Sequence, residues 1–82
     1  MRRFENKEWK PGETVTILAE DEFYNCVFDD CKIICEHPED LKFTDCKMYG
    51  AAADWALRMI HTLPDVNVNL KADAKQYNIT IH

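Results

Sequence analysis

Apolar residues change their spacing along this chain, and each change predicts a different element. Val15 and Ile17 alternate with Thr14 and Thr16, the two-residue period of a half-buried strand built from β-branched residues. Further strands are predicted from about Phe23 to Phe28 and from Cys31 to Glu36, with a tight turn at Asp29-Asp30 between them. His37-Pro38-Glu39-Asp40 then breaks the pairing, because proline lacks a donor and biases its predecessor toward extended geometry. Leu41 to Met48 reads as a fourth strand. After Gly50 the period lengthens to about 3.6 residues. Ala52, Trp55, Ala56, Met59, Ile60 and Leu63 fall on one side of a helix, Asp54, Arg58 and Thr62 on the other, and Pro64 stops it. Strict alternation returns at Val66, Val68 and Leu70 and again at Tyr77, Ile79 and Ile81, on either side of Asp73-Ala74-Lys75, which predicts a hairpin.

Together these elements predict one small α+β domain over residues 1–82. It comprises an irregular N-terminal segment (1–12), a β-rich acidic region (14–48), a helix (50–63) and a β-hairpin (66–82). The expected architecture is an antiparallel sheet, a meander plus the C-terminal hairpin, packed against the one helix. Phe4 and Trp9 in the first segment are expected to tuck against the core.

One short pattern recurs inside the β-rich region. Phe23-Tyr-Asn-Cys26-Val-Phe28, Phe28-Asp-Asp-Cys31-Lys-Ile33 and Phe43-Thr-Asp-Cys46-Lys-Met48 each set an aromatic residue three places before a cysteine and an apolar residue two places after it. Phe23 and Phe43, Cys26 and Cys46, and Phe28 and Met48 are each twenty residues apart, on top of a five-residue register. Residues 21–50 in this respect resemble pentapeptide-repeat proteins, in which four pentads make one turn of a right-handed quadrilateral β-helix. The pentad around Pro38 departs from that pattern, and the usual Asn or Asp before the central residue is absent. The resemblance implies an alternative architecture, a single β-helical turn capped by the helix.

Charge sharpens the picture more than overall composition does. The net charge is −5, but residues 20–45 hold nine acids against Lys32 and Lys42, a local −7, while the flanking segments are each +1. A face that binds phosphates directly must be basic, so direct nucleic-acid binding is disfavoured. No apolar run reaches the length of a membrane span, and the first residues, Met1-Arg2-Arg3-Phe4, lack the apolar segment of a signal peptide. A cytoplasmic location with reduced cysteines is therefore expected.

Chemistry-bearing residues are sparse. Cys26, Cys31, Cys35 and Cys46 lack the tight Cys-x2-Cys knuckles of structural zinc sites, and three of them repeat beside Phe and Ile, as small buried hydrophobes would. A metal or redox role for them stays open as the alternative. His37, His61 and His82 are scattered, and Gly12 and Gly50 cannot make a phosphate loop. No catalytic, metal-binding or cofactor-binding residues are predicted.

The acids between the cysteines are the candidate site: Glu20, Asp21, Glu22, Asp29, Asp30, Glu36, Glu39, Asp40 and Asp45, with Tyr24 as an aromatic anchor and Trp9 or Tyr49 as others. Small size and concentrated acid resemble the small phage-encoded inhibitors, including anti-CRISPR proteins and DNA mimics. That resemblance implies a non-enzymatic, stoichiometric inhibitor that occludes a basic, nucleic-acid-binding site on a partner protein, with no direct nucleic-acid or membrane contact. A phage structural or assembly subunit is a further alternative.

Overall fold

The computed structural model describes residues 2–63, 65–72 and 75–81; the predicted stop at Pro64, the turn at Asp73-Ala74 and His82 lie outside the described residues. Buried side chains fall at Asp21, Phe23, Cys26, Phe28, Cys31 and Ile33, and again at Leu41, Phe43, Cys46 and Met48. The intervals alternate between two and three residues. A continuous strand would keep intervals of two, so the chain must bend once in every five residues. It does so through left-handed backbone at Glu20, Asn25, Asp30, Asp45 and Gly50, with φ between 51° and 65°. Asn, Asp and Gly enter that region more readily than other residues. At one corner the bends are stacked, and the Asn25 side-chain amide donates to Asn6 Oδ1 at 2.7 Å.

Repeated bending winds the strands into stacked layers. The first layer contains β1 (Arg3–Glu5), β2 (Glu8–Trp9) and β3 (Thr14–Ile17). The second contains β4 (Glu22–Tyr24), β5 (Val27–Asp29) and β6 (Lys32–Cys35). The third contains β7 (Lys42–Tyr49) and the helix α1 (Ala51–Met59), and is followed by β8 (Asp65–Ala72) and β9 (Lys75–Ile81). β1 pairs with β4, β4 with β7, and β7 with β8, all in parallel. β2 pairs in parallel with β5, which pairs with the second half of β7, and β3 pairs in parallel with β6. The long β7 bends at Asp45 and so belongs to two sides of the coil.

This arrangement corrects both expected architectures. Among the described residues the only antiparallel pairing is that of β8 with β9. Asp29-Asp30 and the 3₁₀ turn Pro38–Asp40 do not reverse the chain; they lead into strands that stack on the layer below. The coil also exceeds a single turn, because residues 3–17, expected in part to be irregular, form a layer of their own. Their backbone is recruited by the second layer: Glu22 N–H donates to Arg2 O at 2.9 Å and Val27 N–H to Lys7 O at 2.8 Å.

Like residues therefore lie over like. Phe4, Phe23 and Phe43 form one column, with ring centroids 5.1 Å apart at each step and planes within about 11° of parallel. Val66 continues the register above Phe43. Trp9 stacks on Phe28 at 4.7 Å, and Met48 and Leu70 continue that column. The columns meet edge to face, Phe23 against Phe28 at 5.4 Å. Each such aromatic pair contributes about 0.5–1.5 kcal/mol beyond its buried area.

On the third side α1 takes the place of a third strand. It packs on β6, β7 and β8 and buries Ala52, Ala53, Trp55 and Ala56. Nine residues are too few for a helix to stand alone in water, so its stability comes from this packing and from its N-terminus, where Asp30 Oδ1 accepts the Ala51 N–H at 2.8 Å. The helix ends at Met59, whose carbonyl accepts from Thr62 and Leu63, and Leu63 is buried just beyond it.

Candidate partner-binding surface

The coil disperses the ten residues singled out from the sequence over several sides. Asp21 is fully buried, at the inward position five residues before Cys26. Its Oδ2 accepts from Arg2 Nη2 at 2.6 Å and from the Leu18 backbone N–H at 2.8 Å, and Arg2 Nε reaches Oδ1 at 3.1 Å. Burial alone would raise the Asp21 pKa, but the Arg2 and Leu18 hydrogen bonds and the Arg2 charge together outweigh it and hold the carboxyl below its ordinary value. Asp21 therefore belongs to the interior of the fold.

Glu22 and Tyr24 stand on a charge-balanced side. Arg3, Glu22 and Lys42 lie in one register row across β1, β4 and β7. The Tyr24 hydroxyl donates to the Glu22 carboxylate, and the Arg3 guanidinium sits over the Tyr24 ring, 4.2 Å from its centroid. Asp29 is half-buried on β5 opposite Tyr49, Asp30 is engaged at the helix N-terminus, and Asp45 is an exposed corner on yet another edge. Trp9 is half-buried in its stack, and Tyr49, also half-buried, lines a groove on another side.

Four of the acids lie on two adjacent connections. The connection from β3 to β4 carries Glu20, and the neighbouring connection from β6 to β7 carries Glu36, Glu39 and Asp40, all exposed. Among the described residues none of the four pairs with a lysine or arginine; Glu39 meets only the His37 ring, at 3.3 Å. The Glu39 carboxyl is held below its ordinary pKa, chiefly by its own backbone N–H and then by His37.

Between these connections lies a feature that the periodicity did not reveal. Leu18 and Ile34 are exposed, at 52% and 44%, and with Thr16, Ile17, Ala19, Glu36 and His37 they line a shallow groove of about 170 Å³. Each is an apolar residue out of phase with the alternation of its strand: Leu18 follows the inward Ile17, and Ile34 follows the inward Ile33. That phase error was the available signal. The side thus combines two exposed apolar side chains with Glu36 on the groove wall and Glu20, Glu39 and Asp40 on the adjoining connections.

The cysteines are occupied with the core. Cys26, Cys31 and Cys46 are buried, and all four thiols are free. Cys26 Sγ approaches Tyr24 O at 3.4 Å and Cys46 Sγ approaches Thr44 O at 3.4 Å, so each thiol proton has a backbone acceptor. Burial pushes the Cys46 thiol up to about 12 and raises Cys31 and Cys35 as well, which keeps them un-ionised and poorly nucleophilic at neutral pH. Among the described residues no three His, Cys, Asp or Glu side chains gather as a metal site would require, and no helix is long and apolar enough to cross a membrane.

No protein-family model, no curated protein and no solved structure matches this chain.

Proposed function

We propose that this is a non-enzymatic binding protein that seats the side formed by Leu18, Ile34, Glu20, Glu36, Glu39 and Asp40 on a basic surface of a partner protein, and so occludes a site that the partner uses for nucleic acid. The observation that carries this reading is the pair of exposed apolar side chains beside Glu36, with Glu20, Glu39 and Asp40 on the same connections, none of which pairs with a lysine or arginine among the described residues. Unpaired carboxylates set up a field that steers a cationic surface toward them. The apolar pair then supplies contact area that steering alone lacks, since desolvated anchors carry most of the binding energy at interfaces. Compared with the nine acids of the sequence, the surface is smaller and more specific.

The test uses the tagged protein as bait in host extract, followed by purification of what it captures and competition with the partner's own nucleic acid. Binding is expected to weaken with salt, to fall on Glu36→Gln with Glu39→Gln and Asp40→Asn, to fall again on Leu18→Ser with Ile34→Ser, and to displace the nucleic acid. A partner that holds its nucleic acid while bound, or binding indifferent to salt and to the carboxylates, would sink the proposal.

A further inference from the structure

A second surface, sharing no residue with the first, lies on the outer face of β7, β8 and β9. The register sets Lys47 opposite Asn69 and Asn69 opposite Asn78, and in the next row Tyr49 opposite Lys71 and Lys71 opposite Gln76. These two rows of three line a concave groove of about 510 Å³. The volume falls in the range of small-molecule sites, roughly 300–1,000 Å³. Among the described residues no carboxylate lines it, the nearest in the row being Asp29 one strand beyond Tyr49, and neither Lys47 nor Lys71 makes an ion pair.

The composition of the groove specifies a ligand chemistry. Lys47 and Lys71 stand diagonally on adjacent parallel strands, about 8 Å apart along and across the sheet given the usual strand spacing and rise. Their flexible stems can both reach one anionic group set between them, and phosphate offers several acceptors to ammonium donors. Asn69, Gln76 and Asn78 each present a donor and an acceptor, which is what a hydroxyl requires of its partners. The half-buried Tyr49 adds a flat apolar wall beside Lys71. We infer that this groove binds a phosphate ester of a hydroxyl-rich ring, with Lys47 and Lys71 on the phosphate, the three amides on the hydroxyls and Tyr49 against the ring. A sugar phosphate and a mononucleotide share that chemistry. Because the protein as a whole is negative, attraction is local to the groove, and inorganic phosphate competes for it.

The experiment is an NMR titration of the intact chain that follows the side-chain amide signals of Asn69, Gln76 and Asn78. The ligands are glucose 6-phosphate, AMP, inorganic phosphate, uncharged glucose and a short single-stranded oligonucleotide. The phosphate esters are expected to shift those signals saturably and glucose is not; the better binder of glucose 6-phosphate and AMP identifies the ring. Lys47→Gln and Lys71→Gln are each expected to weaken binding about tenfold, the scale of one lost charge-assisted hydrogen bond. Both residues are exposed, so circular dichroism of the variants should be unchanged. The inference is overturned if the amides do not move with either ester, if glucose moves them equally, if the lysine variants bind as the parent does, or if the oligonucleotide binds more tightly than AMP.

Discussion

The Arg2 guanidinium meets the buried Asp21 carboxylate at 2.6 Å, across 19 residues of sequence. Arg2 also donates to Thr16 O at 3.1 Å, and Asp21 accepts the Leu18 N–H, so the pair ties the start of the first layer to the connection that carries Leu18 and Glu20. An acid proposed from the sequence as a contact for a partner is thus the internal support of the surface that remains.

The two partners are unequal, which gives a ranking. Arg2 is half exposed and can return to water, whereas Asp21 cannot. Arg2→Met leaves a buried charge unpaired and should cost about 3 kcal/mol at neutral pH. Asp21→Asn loses charge-assisted hydrogen bonds and should cost about 1.5–3 kcal/mol. Urea unfolding of both variants checks the order, with Arg2→Met the less stable.

Acid should reverse part of that order. In the parent the Asp21 carboxyl is depressed by folding, so its contribution is present above the unfolded pKa of about 3.9 and is lost as pH falls through the lower folded value. Without the Arg2 side chain the carboxyl loses a leading hydrogen bond and the charge that lower its pKa while its burial stays, so its folded pKa rises above the parent's. The deficit of Arg2→Met relative to the parent should therefore shrink as pH falls from neutral into the acid range, through the variant's folded pKa and toward the parent's lower one. A constant deficit would contradict the assignment of Asp21 as buried and charged.

Gly50 and Asp30 form a second interlayer support. Gly50 has φ of +60°, and a Cβ placed there would overlap the Asp30 carboxylate that accepts the Ala51 N–H. Gly50→Ala is expected to cost about 2 kcal/mol or more, from left-handed backbone plus displacement of the Asp30 side chain. Asp30→Asn, which keeps an acceptor for the Ala51 N–H and a residue suited to φ of 51°, should cost less than about 1 kcal/mol. Thermal unfolding of the two variants separates them.

Thiol chemistry should report the layering. Cys35 is half-buried and is expected to react first with an aromatic disulfide reagent, while Cys26, Cys31 and Cys46 wait for unfolding. With the Cys46 thiol raised from 9.0 to about 12, the stabilisation it gives as a neutral group is complete below its unfolded pKa and declines as pH rises from there through about 12. Cys46→Ala should flatten the stability profile in that window. An unchanged slope would mean that Cys46 does not titrate with the fold.

Leu18→Ser with Ile34→Ser should leave the unfolding free energy within about 1 kcal/mol of the parent, since exposed side chains away from special features contribute little. A large loss of stability would mean that these residues serve the fold and not a partner.

Alternation around Val15 and Ile17, the helical stripe around Trp55, and the five- and twenty-residue registers that turn Cys26, Cys31 and Cys46 inward are all local or periodic properties, and the amino-acid order alone determines them. The same register, carried back one pentad, puts Asp21 inside as well. Strand direction was not legible, because a meander and a coil bury the same residues. What separates them is whether Asn25, Asp30 and Asp45 bend the chain or reverse it, and that depends on the next layer offering its backbone, as Thr44 O does for Asn25 N–H at 2.9 Å. Tertiary structure alone decided which residues share a side: Arg2 beside Asp21, Leu18 beside Ile34, and Lys47 and Lys71 around one groove. Each of those meetings joins separate layers or strands, and stacking brings them together where sequence spacing keeps them apart.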